Sequence, residues 1–202
     1  MSDPALSRLE RQVAFLNEAD KLKTTIRATE LCDNSRYENS AEHSWHLTLY
    51  ALVLADQAGP DVDLNLVIKM LILHDLVEID AGDNPIFGDY DAAEMEAQEQ
   101  SAANRIFGLL PDDLRDGLRA IWEEFEAAQT PSAQFAKSLD RFQPPMQNLQ
   151  SGGGSWVDFN VTQAQIAARV GSKIAIGAPR LWDFAKVRIA DFFADYENRK
   201  KP

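Results

Sequence analysis

Three histidines and a handful of acidic residues hold most of the chemistry this chain can offer. His43 and His46 stand one helical turn apart, and His74 abuts Asp75 inside an otherwise apolar run spanning 71–83. An ionised carboxylate in an apolar interior costs several kcal/mol unless it neutralises, meets a counter-charge or binds a metal. Asp75 is therefore expected to face a cation. Imidazole and carboxylate together suit a divalent transition metal, and a catalytic centre of that kind keeps positions open for water and substrate. Glu78 lies three residues past Asp75, on the same helix face, and overlooks whatever Asp75 holds. Asp140 sits in a second apolar helix, where its bland alternative is an ion pair with Lys137 or Arg141.

The elements that must position these groups follow from periodicity and caps. Leu6, Leu9, Val13, Phe15, Leu16 and Leu22 give residues 4–23 one apolar face, a first helix. Residues 24–40 have no clean period and are rich in Asn, Ser, Asp and Arg, so they read as a long connection carrying Arg27 and Arg36. Ser40 is the expected N-cap of a second helix that runs to about Gly59, with Glu42 near the positive end of its dipole. Asp63 caps a third, central helix expected to pass through the core and carry His74 and Asp75. Gly82, Asn84, Pro85 and Gly88 then break the pattern. Two amphipathic helices follow at 91–107 and 112–127, the second opened by Pro111 and striped by Leu114, Leu118, Ile121, Trp122 and Phe125. Thr130 and Pro131 open another helix, which Pro144 and Pro145 should kink or end just after Asp140. Residues 151–155 read as a flexible loop and not a phosphate cradle, because no Lys-Ser/Thr completes one. A short helix at 163–170 and a last one from 178 to about 196 finish the chain. Alternating β-type stretches are nearly absent.

Composition bounds the rest. With 202 residues, 45% hydrophobic and 26% charged, the chain is expected to form one domain over 1–202, with a metal-site core at about 24–142 and C-terminal helices 160–198 packed on it. The formal charge of −12 disfavours nucleic-acid polymers and anionic membranes as partners. A small phosphate ester is still admitted, since a metal and one or two arginines reverse the field locally. Cys32 is the only cysteine, so no intramolecular disulfide forms. The first eight residues lack a cationic start and apolar stretch, and the longest apolar runs fall short of the roughly 20 residues a membrane span needs. A soluble, cytoplasmic protein is expected. The tryptophans at 45, 122, 156 and 182 read as core or dimer contacts.

Three stretches together carry a family resemblance: Asn39-Ser40-Ala41-Glu42-His43-Ser44, Leu73-His74-Asp75-Leu76-Val77-Glu78-Ile79-Asp80-Ala81-Gly82-Asp83, and Leu139-Asp140-Arg141. In order and spacing the chain resembles the HD-domain metal-dependent phosphohydrolases, and among them the bacterial 5'-deoxynucleotidases and their relatives. The resemblance implies an all-α HD-domain helical bundle with a metal site in its core. It implies His43, His74, Asp75 and Asp140 as ligands of one divalent ion (Mn, Co, Zn, Mg or Fe). It further implies catalytic roles for Glu78 and Asp83, with Arg27, Asp75 and Asp83 facing the substrate and Arg27 holding its phosphate. His46 matches no ligand position and is assigned to packing or to orienting a ligand from behind. Dinuclear HD-type phosphodiesterases need more histidines than three. The implied reaction is release of phosphate from (deoxy)nucleoside 5'-monophosphates by a homodimeric enzyme. Its rivals are a phosphatase for another small phosphorylated metabolite and a non-catalytic metal-binding regulatory module, which the presence of both Glu78 and Asp83 disfavours. Ala28 stands beside Arg27 where the bacterial 5'-deoxynucleotidase carries a bulky aromatic, which implies loose selection at the sugar 2' position.

Overall fold

The computed structural model describes residues 4–88 and 90–199. The signal-peptide reading at residues 1–3, the Leu6 side chain and the end of the expected domain at 200–202 lie outside the described residues. Helix α1 (Pro4–Ala19) passes through a 3-10 turn (Asp20–Thr24) into two short strands, β1 (Ile26–Glu30) and β2 (Tyr37–Asn39). Then come α2 (Ser40–Val53), α3 (Leu64–Leu73), a 3-10 turn (His74–Val77), α4 (Glu78–Ala81), α5 (Ala92–Phe107) and α6 (Asp112–Ala127). The chain continues through α7 (Pro131–Gln150), α8 (Ser155–Asp158), α9 (Gln163–Ile166), a π-helical turn (Ala167–Gly171), α10 (Ser172–Gly177) and α11 (Pro179–Arg199). The all-α expectation holds, with one small hairpin added. Among the described residues no helix is long and apolar enough to cross a membrane.

That hairpin replaces the long connection expected over 24–40. Its strands pair antiparallel with Ile26 opposite Asn39 and Glu30 opposite Tyr37, and the register shifts between them. The usual polarity is inverted: Ile26 and Tyr37 are exposed, while Thr29 and Glu38 are buried and Arg27 is mostly so. A strand whose inward residues are Arg, Thr and Glu shows no apolar alternation to read.

Cap chemistry places α2 one residue from expectation. Asn39, not Ser40, is the N-cap: its side chain accepts from the Glu42 N–H at 3.0 Å, and the Glu42 carboxylate accepts from the Asn39 N–H at 3.2 Å. Ser40 is thereby free to donate its hydroxyl to Glu78. Asp63 caps α3 as expected, accepting from the N–H groups of Asn65 and Leu66.

The central helix does not run unbroken through His74 and Asp75 to Asp80. It stops at Leu73 and tightens to 3-10 geometry over His74–Val77. Side chains occupy carbonyls there: the His74 ring lies 3.0 Å from the Leu71 oxygen, and the Trp122 indole N–H donates to the His74 oxygen at 3.2 Å. Gly82, at φ 75°, then turns the chain back toward the hairpin.

Helix α7, by contrast, does not end after Asp140. It continues through Pro144 and Pro145 to Gln150. The prolines remove two backbone donors. Tertiary contacts offset that loss, since Phe142, Gln143, Pro145, Gln147 and Asn148 are all buried and both glutamines are held by side chains of β2 and α2. The glycine-rich stretch 151–155 is an ordered turn. The Gly153 N–H donates to the Asn148 oxygen at 2.7 Å, and positive φ at Gly152, Gly153 and Gly154 sets α8 against the C-terminal end of α7.

Two buried apolar clusters result. One unites Val67, Met70 and Leu71 of α3 with Phe125, Leu139 and Ile174. The other joins Leu73, Leu76 and Val77 to Phe107 and Trp122. His74 and Asp75 fall where the two meet. Burial of these side chains, each contributing about 1.5–3 kcal/mol, fixes the backbone on which the polar groups stand.

Helices α7 and α10 approach closely at Gly177, whose N–H donates to the Ser138 hydroxyl at 3.2 Å. A Cβ at 177 would overlap the Gln134 carbonyl. Gly177→Ala is expected to destabilise the fold by about 1–3 kcal/mol through forced separation of the helices. Urea denaturation checks this, and an unchanged midpoint would refute the close-approach account.

Candidate metal centre and active site

The sequence-predicted residues converge. One ligand atom each from His43, His74 and Asp75 lies within 4.8 Å of the others. Asp140 joins them, its Oδ1 standing 3.1 Å from His43 Nε2 and 3.8 Å from His74 Nε2. All four residues are buried. They come from α2, the 3-10 turn and α7, so no single element contains the centre.

The two imidazoles are oriented from behind. His74 Nδ1 faces the Leu71 carbonyl, which assigns the ring proton to Nδ1 and leaves Nε2 directed at Asp75 Oδ1, 2.9 Å away. His43 Nδ1 lies 3.1 Å from Gln143 Oε1, and its Nε2 faces Asp140. Such backing is how ligand histidines are commonly held. The donor set fits a divalent ion: two imidazoles and Asp75 cluster, Asp140 stands against both imidazoles, and the buried His74 Nε2, though 2.9 Å from Asp75 Oδ1, makes no hydrogen bond of good geometry among the described residues. His46 stands outside this group. Its Nδ1 is 3.3 Å from Gln143 Nε2, so it touches the residue that backs His43.

Around the imidazoles lies a second arrangement, centred on Arg27. The guanidinium Nη1 is 3.1 Å from Asp75 Oδ2, 3.4 Å from Asp83 Oδ1 and 3.6 Å from Glu78 Oε1, and Nε is 3.4 Å from Glu38 Oε1. Asp83 also accepts the Ala28 N–H at 3.3 Å, which ties the turn after α4 to β1. Arg36 does not enter the site; it pairs with Glu42 at the surface.

The electrostatics follow from burial and proximity. Burial opposes charging of His74, but the Asp75 carboxylate, with Asp140 beside it, outweighs burial and raises its pKa. Burial also works against Asp75 and Asp140 as anions, yet His74 and Arg27 hold the first below the usual carboxylate range, and Arg141 with the two imidazoles holds the second well below it. Glu78 goes the other way. Burial, reinforced by the Asp75 charge, pushes its carboxyl well above the ordinary value. Burial raises Asp83 too, against the pull of Arg27.

Sequence reading missed Glu38, 1% exposed. It lies 3.3 Å from His43 Nδ1 and 3.4 Å from Arg27 Nε, and accepts from Gln147 Nε2 at 3.0 Å. Gln143 and Gln147 were missed with it. The available signal was a glutamate next to exposed Tyr37 in a strand, visible only once a strand is granted. Arg141 is the other omission. It lines the cavity, and Asp140 at 3.7 Å is its charged neighbour among the described residues.

Arg27, His74, Asp75, Glu78, Asp83 and Asp140 open onto a cavity of about 190 Å³. One face of α7 lines its length with Lys137, Asp140, Arg141, Pro144, Pro145 and Asn148. Lys137 is committed to Glu126, at 2.9 Å, and to the Phe125 ring. Ala28 also lines the cavity, next to Arg27.

A helical bundle built around buried histidines and carboxylates, with a charged cleft beside them, defines a class of helical proteins with a candidate metal centre. The matches to known proteins make the family definite. The family model for the HD domain matches residues 19–182, and the chain belongs to that family. The resemblance read from its three motifs is thus borne out. A crystal structure of a predicted metal-dependent phosphohydrolase from Magnetospirillum magnetotacticum MS-1 is 42% identical, with a TM-score of 0.87 over 93% of this chain and 96% of that one. The human 5'-deoxynucleotidase HDDC2 is 28% identical over 151 residues, 72% of each chain. A 5'-deoxynucleotidase of Shewanella oneidensis is 28% identical over 155 residues, 73% of this chain and 79% of its own.

Glu38 is expected to be costly to remove. Glu38→Ala removes the carboxylate that faces Arg27 Nε and accepts from Gln147 Nε2, while Asp75, Glu78 and Asp83 remain at the guanidinium, and leaving a buried polar group unsatisfied typically costs about 1–3 kcal/mol. Chemical denaturation should show a loss of that order. A loss under about 0.5 kcal/mol, the ordinary surface range, would show that Glu38 is not integral to the charge network.

Proposed function

We propose that this chain is a divalent-metal phosphomonoesterase that releases phosphate from nucleoside 5'-monophosphates, deoxy forms included. The observation that carries the reading is that His74, Asp75, Asp140 and the buried Arg27 line one cavity, with His43 against Asp140 behind its wall. The names of the relatives support the nucleotide as substrate.

In this reading His43, His74, Asp75 and Asp140 hold the ion. A bound divalent ion supplies Lewis acidity toward the phosphoryl group and a water of lowered pKa. Arg27 receives the phosphate, exchanging part of its carboxylate ring for the substrate's oxygens. Asp75 and Asp83, both against the guanidinium, keep it aimed into the cavity. Glu78 is the proton-handling group: its Oε2 accepts from the Ser40 hydroxyl, and its Oε1 stands near Arg27, close to where the phosphate would lie. Asp83, which faces the same Arg27 Nη1 as Glu78, helps fix the geometry of attack. Residues 4–199 act as one unit, supported by α7, which packs on α2, α3, α6, α10 and α11.

The test is metal content and phosphate release for wild type, Glu78→Ala and His74→Ala against nucleoside 5'- and 3'-monophosphates. Wild type should act on the 5' esters, with little discrimination between ribo and deoxy forms because Ala28 lines the cavity. Glu78→Ala should keep the ion and lose turnover by about 10²–10⁴-fold. His74→Ala should lose both. Full activity in Glu78→Ala would remove that residue from the chemistry, and no release from any 5' ester would end the nucleotidase reading.

We also propose that two copies associate. The exposed stripe Trp45, Leu49, Leu52 and Val53 on α2 supports this. Light scattering should give twice the chain mass, and a monomer at micromolar concentration would refute it.

A further inference from the structure

The cavity is charged at one end and apolar at the other, and the phosphohydrolase chemistry uses only the charged end. Along α7 the lining changes from Asp140 and Arg141 to Pro144 and Pro145. Asn148, the last α7 residue in the wall, lies about 12 Å along the helix axis from Asp140 at 1.5 Å per residue. Beyond it the wall is completed by Trp156, Phe159 and Val170. Helix α8 packs against β1, which carries Arg27 and Ala28, so this apolar end adjoins the arginine that receives the phosphate.

Phe159 is distinct among these residues. It is 43% exposed and belongs to neither buried apolar cluster. Trp156, 3% exposed, is held from behind by Phe192 and Phe193, at ring-centroid distances of 5.5 and 5.8 Å. The turn that presents them is fixed by Gly153, at φ 119°, where a Cβ would press on Val157 and Phe192. A single exposed aromatic is ordinary on a protein surface. One that lines a metal-centre cavity together with proline rings that carry no N–H offers apolar surface to a flat ring, with Asn148 and Ser155 paired to each other.

We propose that Phe159, with Pro144 and Pro145 of α7, forms a nucleobase subsite that stacks the base of the substrate while its phosphate lies at Arg27. This rests on the phosphohydrolase reading for the position of the phosphate, and it names what that reading leaves open, the residues that distinguish a nucleotide from a bare sugar phosphate. Recognition there is by π-face and apolar contact, so purine and pyrimidine bases are both accepted. A phosphate ester without a base gains nothing from this end of the cavity.

The experiment is titration calorimetry on metal-loaded protein with two non-hydrolysable probes, a deoxynucleoside 5'-phosphonate and the corresponding sugar phosphonate without a base. Wild type should bind the nucleoside probe about tenfold or more tightly than the baseless one, in keeping with the loss seen when base-stacking aromatics are truncated. In Phe159→Ala the ratio should fall close to one, and in Phe159→Tyr it should persist. The melting temperature of each variant confirms the fold. A ratio near one in wild type, or a ratio that survives in Phe159→Ala, overturns the subsite. Failure of the hydrolase reading shows separately, as no phosphate release from nucleotides, because both probes report binding without turnover.

Discussion

The structure depends on keeping buried negative charge tolerable. Glu38, Asp75, Glu78, Asp83 and Asp140 all approach the interior, where they are shared among one guanidinium and two imidazoles. Desolvating such groups costs several kcal/mol each, and only close, hydrogen-bonded counter-charges offset it. Placement of the counter-charges therefore constrains the fold. Arg27 needs a strand to bring it inward, His74 needs a helix end, and Asp140 needs a helix that stays intact beyond two prolines.

Each of these local features departs from regular structure and serves the site. The tightened turn at His74–Val77 directs His74 Nε2 and Asp75 toward α7 while Leu76 and Val77 enter the apolar core. Capping by Asn39 places Ser40 against Glu78 across 38 positions of sequence. The glutamines of α7 fill the space behind His43 and tie it to Glu38, so the same helix supplies Asp140 on its cavity face and backing amides on its inner face. Such backing groups orient a ligand ring at least as much as they stabilise the fold.

In the proposed function a chain with net charge −12 would hold a phosphate ester only where cations offset the buried carboxylates. Arg27 and Arg141 both line the cavity, and a divalent ion adds to them. The apolar end then decides which ester gains affinity. Charge selects the phosphate, and the aromatic and proline walls select what is attached to it.

The sequence by itself determined the helical class and most helix starts, and it pointed to residues that the fold brings together. Caps such as Asp63, Asp91 and Thr130 act within three residues, and the 3.6-residue stripe of α6 reports burial directly. Asp75 and Asp140 were legible as carboxylates in apolar helices, costly enough to need a cause, whereas the set His43, His74, Asp75 and Asp140 was legible only through the resemblance carried by the three motifs. Only the tertiary structure decided the hairpin, the passage of α7 through Pro144 and Pro145, and the place of Glu38. The inward residues of β1 and β2 are polar, so no hydrophobic period marks them. The two prolines are tolerated through contacts with β2 and α2, which lie about a hundred residues earlier in the chain. Glu38 acquires its partners only when β2, α7 and Arg27 meet. Local rules reach one helical turn, whereas the energy that settles these three features is exchanged between elements far apart in the chain.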